Sequence, residues 1–328
     1  MKRLNDFSIK TKLIFILFFP ILGLTIFAGL QSLDYYRNYN SMKKIETLTF
    51  LSQKISKLVH ETQKERGMTA GYLGSNGKVF THKILIQRKL SNERFKEFKA
   101  FSEKINFNTY PQIFKTNIDN TIKKFEGLTN IRLKVNNQDI HTTEAIDYYT
   151  NMNELILGNI KLIARLSTDT QISIQILSYA KFLLSKERAG LERAIGTNTL
   201  VRGSFDEGVK TKFNNLILSQ NFYINNFIDL ANKDTIDFYQ KAMKGKEVEE
   251  VNRIRKNMFS LSFEDAPEYW FSQITAKINK LKEVDNQLSF DLIKNVNTVK
   301  DNVYYGLIFT LIGSIISLLL ALFFGLVI

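Results

Sequence analysis

Two long apolar segments without a charged residue constrain this 328-residue chain more than any other feature. The first covers residues 13–30 and the second covers residues 304–328. About 20 apolar residues are enough for a helix to cross a bilayer, so both segments predict transmembrane helices. A cleaved signal peptide is the alternative for the first segment. That segment is longer than the usual apolar region of about 7–15 residues, and it lacks an A-x-A ending.

Positive charge before the first segment predicts the topology. The four basic residues there are Lys2, Arg3, Lys10 and Lys12. Such residues stay on the cytoplasmic side. We therefore expect a cytoplasmic tail (1–12), transmembrane helices at 13–30 and 303–328, and a periplasmic or extracellular domain (31–302) on a bacterial cell membrane. The chain would then end within its second span, and we expect a cytoplasmic output module to follow.

Composition narrows the chemistry of the external domain. Its 41 basic and 31 acidic residues give 41 − 31 = +10, an excess that favours anionic ligands, although solvated lysines also explain it. No aromatic and basic interleaving typical of RNA-binding sheets is found, so nucleic acid is not expected as a partner. The chain has no cysteine and three widely spaced histidines. We predict no metal, no cofactor, no catalytic residue and no enzymatic activity.

Hydrophobic periodicity predicts an all-α fold with about eight external helices. The expected helices cover about 31–73, 79–104, 112–134, 142–166, 170–195, 205–231, 234–258 and 267–302. At 1.5 Å per residue the first is roughly 63 Å long and the last roughly 53 Å, which exceeds one compact bundle. The lengths fit two four-helix bundles, stacked along the membrane normal, that share the first and last helices.

Two helical segments share a Lys-Glu-Arg triplet followed by small residues. They are QKERGMTAGY at 63–72 and SKERAGLERA at 185–194. Glycine inside a helix costs about 1 kcal/mol relative to alanine. Gly67, Gly71 and Gly190 therefore indicate close helix contact or room for a small ligand beside the backbone.

Arg66 and Arg188 each lie on an apolar stripe of their helix, so both guanidiniums are predicted to point inward. An unpaired buried charge costs several kcal/mol, and each arginine therefore needs an anionic partner. Glu65 and Glu187 supply that partner in one interpretation. A bound small anion supplies it in the other.

These two blocks resemble the signatures of the NIT domain, the nitrate- and nitrite-sensing domain of bacterial receptors. The segment WFSQITAKI at 270–278 is similar to a late stretch of the same domain, and the resemblance covers about residues 47–288. It implies two stacked four-helix bundles and a nitrate held between the arginines of the two blocks, here Arg66 and Arg188. Arg253 and Arg255 receive no role.

The two-span layout and short N-terminal tail further resemble methyl-accepting chemotaxis proteins. We therefore expect a homodimeric transmembrane chemoreceptor that binds nitrate or nitrite and acts on cytoplasmic signalling proteins. One alternative is the same sensor on a histidine kinase or a cyclic-dinucleotide enzyme. Another is a structural or protein-binding module in which Arg66 and Arg188 are paired internally.

Overall fold

The computed structural model describes residues 9–327, which form ten α-helices, one 3₁₀ turn and no strand. The predicted all-α class is confirmed. Residues 1–8 of the predicted tail, with Lys2 and Arg3, lie outside the described residues, as does Ile328. The helices are α1 (Ile9–Gly74), α2 (Lys83–Ser102), α3 (Gln112–Glu126), α4 (Leu128–Asn136), α5 (Thr142–Ala164), α6 (Thr170–Arg202), α7 (Val209–Leu230), α8 (Lys233–Ala242), α9 (Lys246–Phe259) and α10 (Pro267–Val327).

Two helix boundaries differ from the predicted ones for local reasons. The helix expected over 112–134 is divided at Gly127, where an added Cβ would lie 2.6 Å from the hydroxyl of Tyr148. The helix expected to end before Gly196 continues to Gly203, which has a φ of 69°. A glycine in this left-handed conformation is a common helix stop. Gly196 instead lies inside α6.

The predicted apolar faces of α1, α5 and α10 form much of the core. Their buried residues are Leu48, Leu51, Ile55, Leu58, Ile146, Tyr149, Met152, Ile156, Ile160, Ile163, Trp270, Ile274, Ile278, Leu281, Val284 and Leu288. The predicted face of α6 is different, because it includes Leu177, which is 40% exposed. Nearly every residue of α6 from Ser178 to Leu200 is buried. Periodicity therefore does not identify its inward side.

Residues 47–293 form one compact unit in which two groups of helices contact α1 and α6. Glu65 of α1 binds Arg132 of α4, and Glu192 of α6 binds Arg255 of α9. The all-α fold is consistent with the helical bundles expected from the sequence. The extensive burial of α6 in this unit is not among the sequence-based expectations.

The two apolar segments belong to a second compact unit, to which the described residues 9–46 and 294–327 belong. Within it, Lys300 Nζ lies 2.8 Å from Glu46 Oε1, and the rings of Tyr39 and Tyr304 are 5.6 Å apart. Most apolar side chains of both segments are exposed. By length and composition, α1 and α10 are each able to cross a membrane.

Gly196 provides a test of the packing between α6 and α10. An added Cβ would lie 2.6 Å from the indole of Trp270, which is fully buried and donates its Nε1 hydrogen to Arg193 O at 3.2 Å. We expect Gly196→Ala to lower the free energy of unfolding by about 1–3 kcal/mol. In the matched control, Gly158→Ala, the new Cβ meets nothing within 4 Å. This change should raise stability by about 0.5–1 kcal/mol. Urea unfolding measures both, and equal effects would contradict the packing.

Candidate functional site

Arg66 of α1 is fully buried and only partly hydrogen-bonded. Its Nη1 donates to Glu187 Oε1 at 2.5 Å and to the hydroxyl of Thr150 at 2.9 Å. Its Nε and Nη2 have no acceptor among the described residues. Buried donors are almost always paired. Arg66 therefore retains the capacity to bind a further acceptor.

Arg193 of α6 is a second fully buried arginine with unused donors. Its Nη1 donates to the hydroxyl of Thr275 at 2.8 Å, and its guanidinium carbon lies 4.9 Å from the centre of the Phe271 ring. Its Nε and Nη2 have no acceptor within residues 9–327. Unlike Arg66, it has no ion pair with any described carboxylate. The positive charge of Arg193 is therefore not neutralised by direct contact with a described carboxylate.

The two guanidiniums are close enough to repel each other. Burial, and next the positive charge of Arg66, lower the pKa of Arg193 to about 9. Glu61 and Glu187 oppose this decrease without cancelling it. Arginine keeps its proton in proteins, so the lowered pKa reports an unfavourable buried charge. An additional anion beside the pair would relieve that cost.

Glycines bring the helix backbones up to these unused donors. An added Cβ at Gly190 would lie 3.1 Å from Nη2 of Arg66, and one at Gly67 would lie 3.2 Å from Nε of Arg193. Gly71 makes its close contact with an aromatic ring, at 2.7 Å. The close approach predicted for all three glycines is present. Two of them border donors that lack acceptors.

The prediction that both guanidiniums of the triplets point inward is correct for Arg66 and wrong for Arg188. The side chain of Arg188 is 21% exposed, and its Nη2 donates to Glu154 Oε1 at 3.0 Å. Glu154 is itself 44% exposed. The error has a physical reason: α6 is buried around most of its circumference, so an apolar stripe does not mark the side that faces Arg66.

The two carboxylates predicted as internal partners are both fully buried and have different roles. Glu187 binds Arg66, as described above. Glu65 accepts from Nε and Nη2 of Arg132 at 2.7 and 2.8 Å, and from the hydroxyl of Tyr149 at 2.6 Å. Arg66 is thus paired with the glutamate of the other block, and Glu65 is committed to α4 and α5.

The same set of contacts occurs twice in the domain. A Glu-Arg dipeptide on the first helix of each half pairs its Glu with an arginine of the fourth helix, and its Arg with a threonine of the fifth. The pairs are Glu65–Arg132, Glu192–Arg255, Arg66–Thr150 and Arg193–Thr275. The sequence separations are 67 and 63 residues for the glutamates and 84 and 82 for the threonines. Helices α1–α5 and α6–α10 therefore follow one plan.

Arg193 is the candidate residue that the sequence analysis missed, although it lies inside the second block. The signal was the dipeptide of Glu192 and Arg193 followed by small residues, which matches Glu65 and Arg66. The longer Lys-Glu-Arg match, ending at Arg188, concealed it. In the structure, the dipeptide Glu192–Arg193 makes the contacts in the second half that Glu65–Arg66 makes in the first. The triplet that ends at Arg188 does not make them.

The fold and site define an all-helical domain with a buried cationic centre contributed by two helices. Within residues 9–327, no group of three His, Asp or Glu side chains is arranged to hold a metal ion. A family model described as nitrate and nitrite sensing matches residues 57–293. The chain therefore belongs to the NIT family, which confirms the resemblance found in its motifs.

A known protein sequence and a solved structure are similar to this chain. The nitrate regulatory protein of Klebsiella oxytoca is 24% identical over 245 residues, which are 74% of this chain and 62% of that protein. The chain thus spans about three fifths of the length of this relative. The structure of the NasR transcription antiterminator matches with a TM-score of 0.74 at 19% identity, covering 83% of this chain and 79% of that one. At this identity the likeness shows the fold alone.

Two arginine variants separate a binding site from a structural ion pair. In nitrate-free buffer, we expect Arg193→Met to leave the free energy of unfolding unchanged or to raise it, because it removes a poorly compensated buried charge. Arg255→Met is the control, since it leaves Glu192 buried without its two-pronged partner. That change should cost about 3–5 kcal/mol. Urea unfolding followed by the fluorescence of the single tryptophan measures both, and equal losses would make Arg193 structural.

Proposed function

We propose that this domain senses nitrate or nitrite by binding the anion between the guanidiniums of Arg66 and Arg193. The main support for the proposal is the set of four buried nitrogens, Nε and Nη2 of each arginine, for which residues 9–327 provide no acceptor. Nitrate is planar and shares its charge among three oxygens. A guanidinium presents two parallel donors to such an edge, which an ammonium does not. Membership of the NIT family supports this class of ligand.

The pairing of Arg66 with Arg188, implied by the motif resemblance, remains the alternative assignment. It requires Arg188 to leave Glu154 and turn towards α1. The assignment to Arg193 needs no such movement, because both guanidiniums are already buried and the charge of one lowers the pKa of the other. Substitution of each of the three arginines distinguishes the two assignments.

A purely structural module is the competing function. The ion pairs of Arg66 with Glu187 and of Arg188 with Glu154 favour it. Arg193 argues against it, because a structural centre gains nothing from a buried arginine that has no ion pair with a described carboxylate. The absence of nucleic acid and the absence of catalysis remain predictions.

We propose further that the sensor belongs to a membrane receptor. Helices α1 and α10 each contain a segment able to cross a bilayer and also contribute residues to the ligand-binding unit. Residues 31–302 would lie outside the cell, and the output would lie in the cytoplasm. A homodimeric chemotaxis receptor fits this layout, as do a histidine kinase and a cyclic-dinucleotide enzyme. Signalling requires a different anion affinity in two states, typically a coupling of about 1–3 kcal/mol.

Anion binding is tested by thermal unfolding of the full chain in detergent, with nitrate replacing chloride at constant ionic strength. Nitrate at a hundredfold excess over its Kd should stabilise the wild type by about 2.7 kcal/mol. Arg66→Lys and Arg193→Lys should abolish most of this gain, because lysine keeps the charge and loses the planar fork. Arg188→Lys is the matched control and should retain the gain. Loss at Arg188 with retention at Arg193 would restore the alternative pair.

The topology is tested by single cysteines, because the chain contains none. We expect a membrane-impermeant maleimide to label Ser204→Cys, an exposed position of the domain, on spheroplasts or cells with a permeabilised outer membrane. Ser8→Cys, in the predicted cytoplasmic tail, should react only after the inner membrane is opened. Labelling of both positions only after lysis would contradict an external sensor.

A further inference from the structure

We infer that Glu187 selects ligands by charge: it leaves the buried arginine pair with one net positive charge, so that the site accepts singly charged oxyanions and rejects doubly charged ones. The inference rests on the proposed function. Charge would then be the reason why the proposed nitrate site discriminates against sulfate, which also offers oxygens to a guanidinium fork.

The charge count at the centre involves three fully buried side chains. Arg66 and Arg193 contribute two positive charges, and Glu187, at 2.5 Å from Arg66, contributes one negative charge. A singly charged anion therefore brings the centre to neutrality. A doubly charged anion leaves a negative charge uncompensated in a buried environment, where unpaired charge is most costly.

One neighbouring group of charges lies on α6 and α10. Lys186 and Asp285 form a fully buried ion pair at 2.5 Å. Lys282 adds a positive charge at 2.8 Å from the same carboxylate, and its side chain is 15% exposed. Solvent reaches this extra charge, so it contributes less to the arginine centre than the three fully buried groups do.

Further charged neighbours lie on α1. Lys64 pairs with Glu61 at 3.5 Å, and both side chains are partly exposed. Burial, and next the positive charge of Lys186, keep the pKa of His60 well below its usual value. His60 is therefore neutral at physiological pH. Glu61 also raises the pKa of Arg193, but it is partly exposed and paired with Lys64, which leaves Glu187 as the fully buried carboxylate of the arginine pair.

Glu187 differs from the two structural glutamates of the domain. Glu65 and Glu192 each bind an arginine outside the central pair. Glu187 binds a member of the central pair and is held there by Nε2 of Gln63, at 2.6 Å. The residue five positions before Glu192 is Glu187, whereas the residue five positions before Glu65 is His60. The extra carboxylate thus occurs in one half only. It neutralises one of the two positive charges of the arginine pair.

The experiment compares nitrate and sulfate binding to the full chain in detergent, by titration calorimetry. The wild type should bind nitrate and bind sulfate at least about a hundredfold more weakly. Glu187→Gln should strengthen sulfate binding relative to nitrate by at least about tenfold, because the centre then has two net positive charges. Glu154→Gln, at the exposed partner of Arg188, is the matched control and should leave the ratio unchanged.

An unchanged ratio in Glu187→Gln, with nitrate still bound by the wild type, would overturn this inference and leave the proposed function standing. Absence of nitrate binding in the wild type would overturn the proposed function, and the inference with it. The two failures are therefore distinguishable.

A second pair of variants avoids removing the buried glutamate. Thr150 is partly exposed and accepts a hydrogen bond from Arg66 Nη1. Thr150→Asp adds a negative charge there and brings the empty centre to neutrality. Thr150→Asn has the same shape without the charge. Nitrate should bind at least about tenfold more weakly to the Asp variant than to the Asn variant, and equal affinities would overturn the inference.

Discussion

Two like charges, buried side by side, are the interaction on which the rest of this domain depends. Arg66 and Arg193 come from different helices, and each is fully removed from water. Their repulsion opposes the contact between α1 and α6. The contact persists because apolar packing and the ion pair between Arg66 and Glu187 outweigh that repulsion. The two buried charges thus lower the stability of the domain, and they leave hydrogen-bond donors at its centre without acceptors.

The Glu-Arg dipeptide explains why Arg66 and Arg193 stay close together although their charges repel. Successive residues on an α-helix point about 100° apart. The glutamate therefore faces the outer helices of its own half, where Glu65 meets Arg132 and Glu192 meets Arg255. The arginine that follows faces the centre. These two-pronged pairs are buried or nearly so, and they fix the rotation of α1 and α6. A rotation of either helix that moved its central guanidinium away from the other would break one of these strong ion pairs.

In the proposed function, the placement of the site between two similar halves offers a simple physical means of signalling. Because each half contributes one guanidinium, a bound anion would change the free energy of contact between the halves. It does not merely fill a cavity within one of them. The ligand therefore favours whichever arrangement brings the two arginines to the anion together. Glu187 limits this effect, since it already neutralises part of the repulsion before any anion arrives.

The helical class, most apolar faces, the NIT family and one of the two central arginines could all be predicted from the amino-acid sequence. These follow from local patterns: the spacing of Leu48, Leu51 and Ile55, the glycines beside charged residues, and two recurring motifs. The burial of α6 on nearly all sides, and the position of Arg193 rather than Arg188 near Arg66, became visible only in the folded chain. Periodicity identifies the buried side of a helix when one side is exposed to water. Because α6 is enclosed by helices around most of its circumference, the direction of each of its side chains is settled by its neighbours.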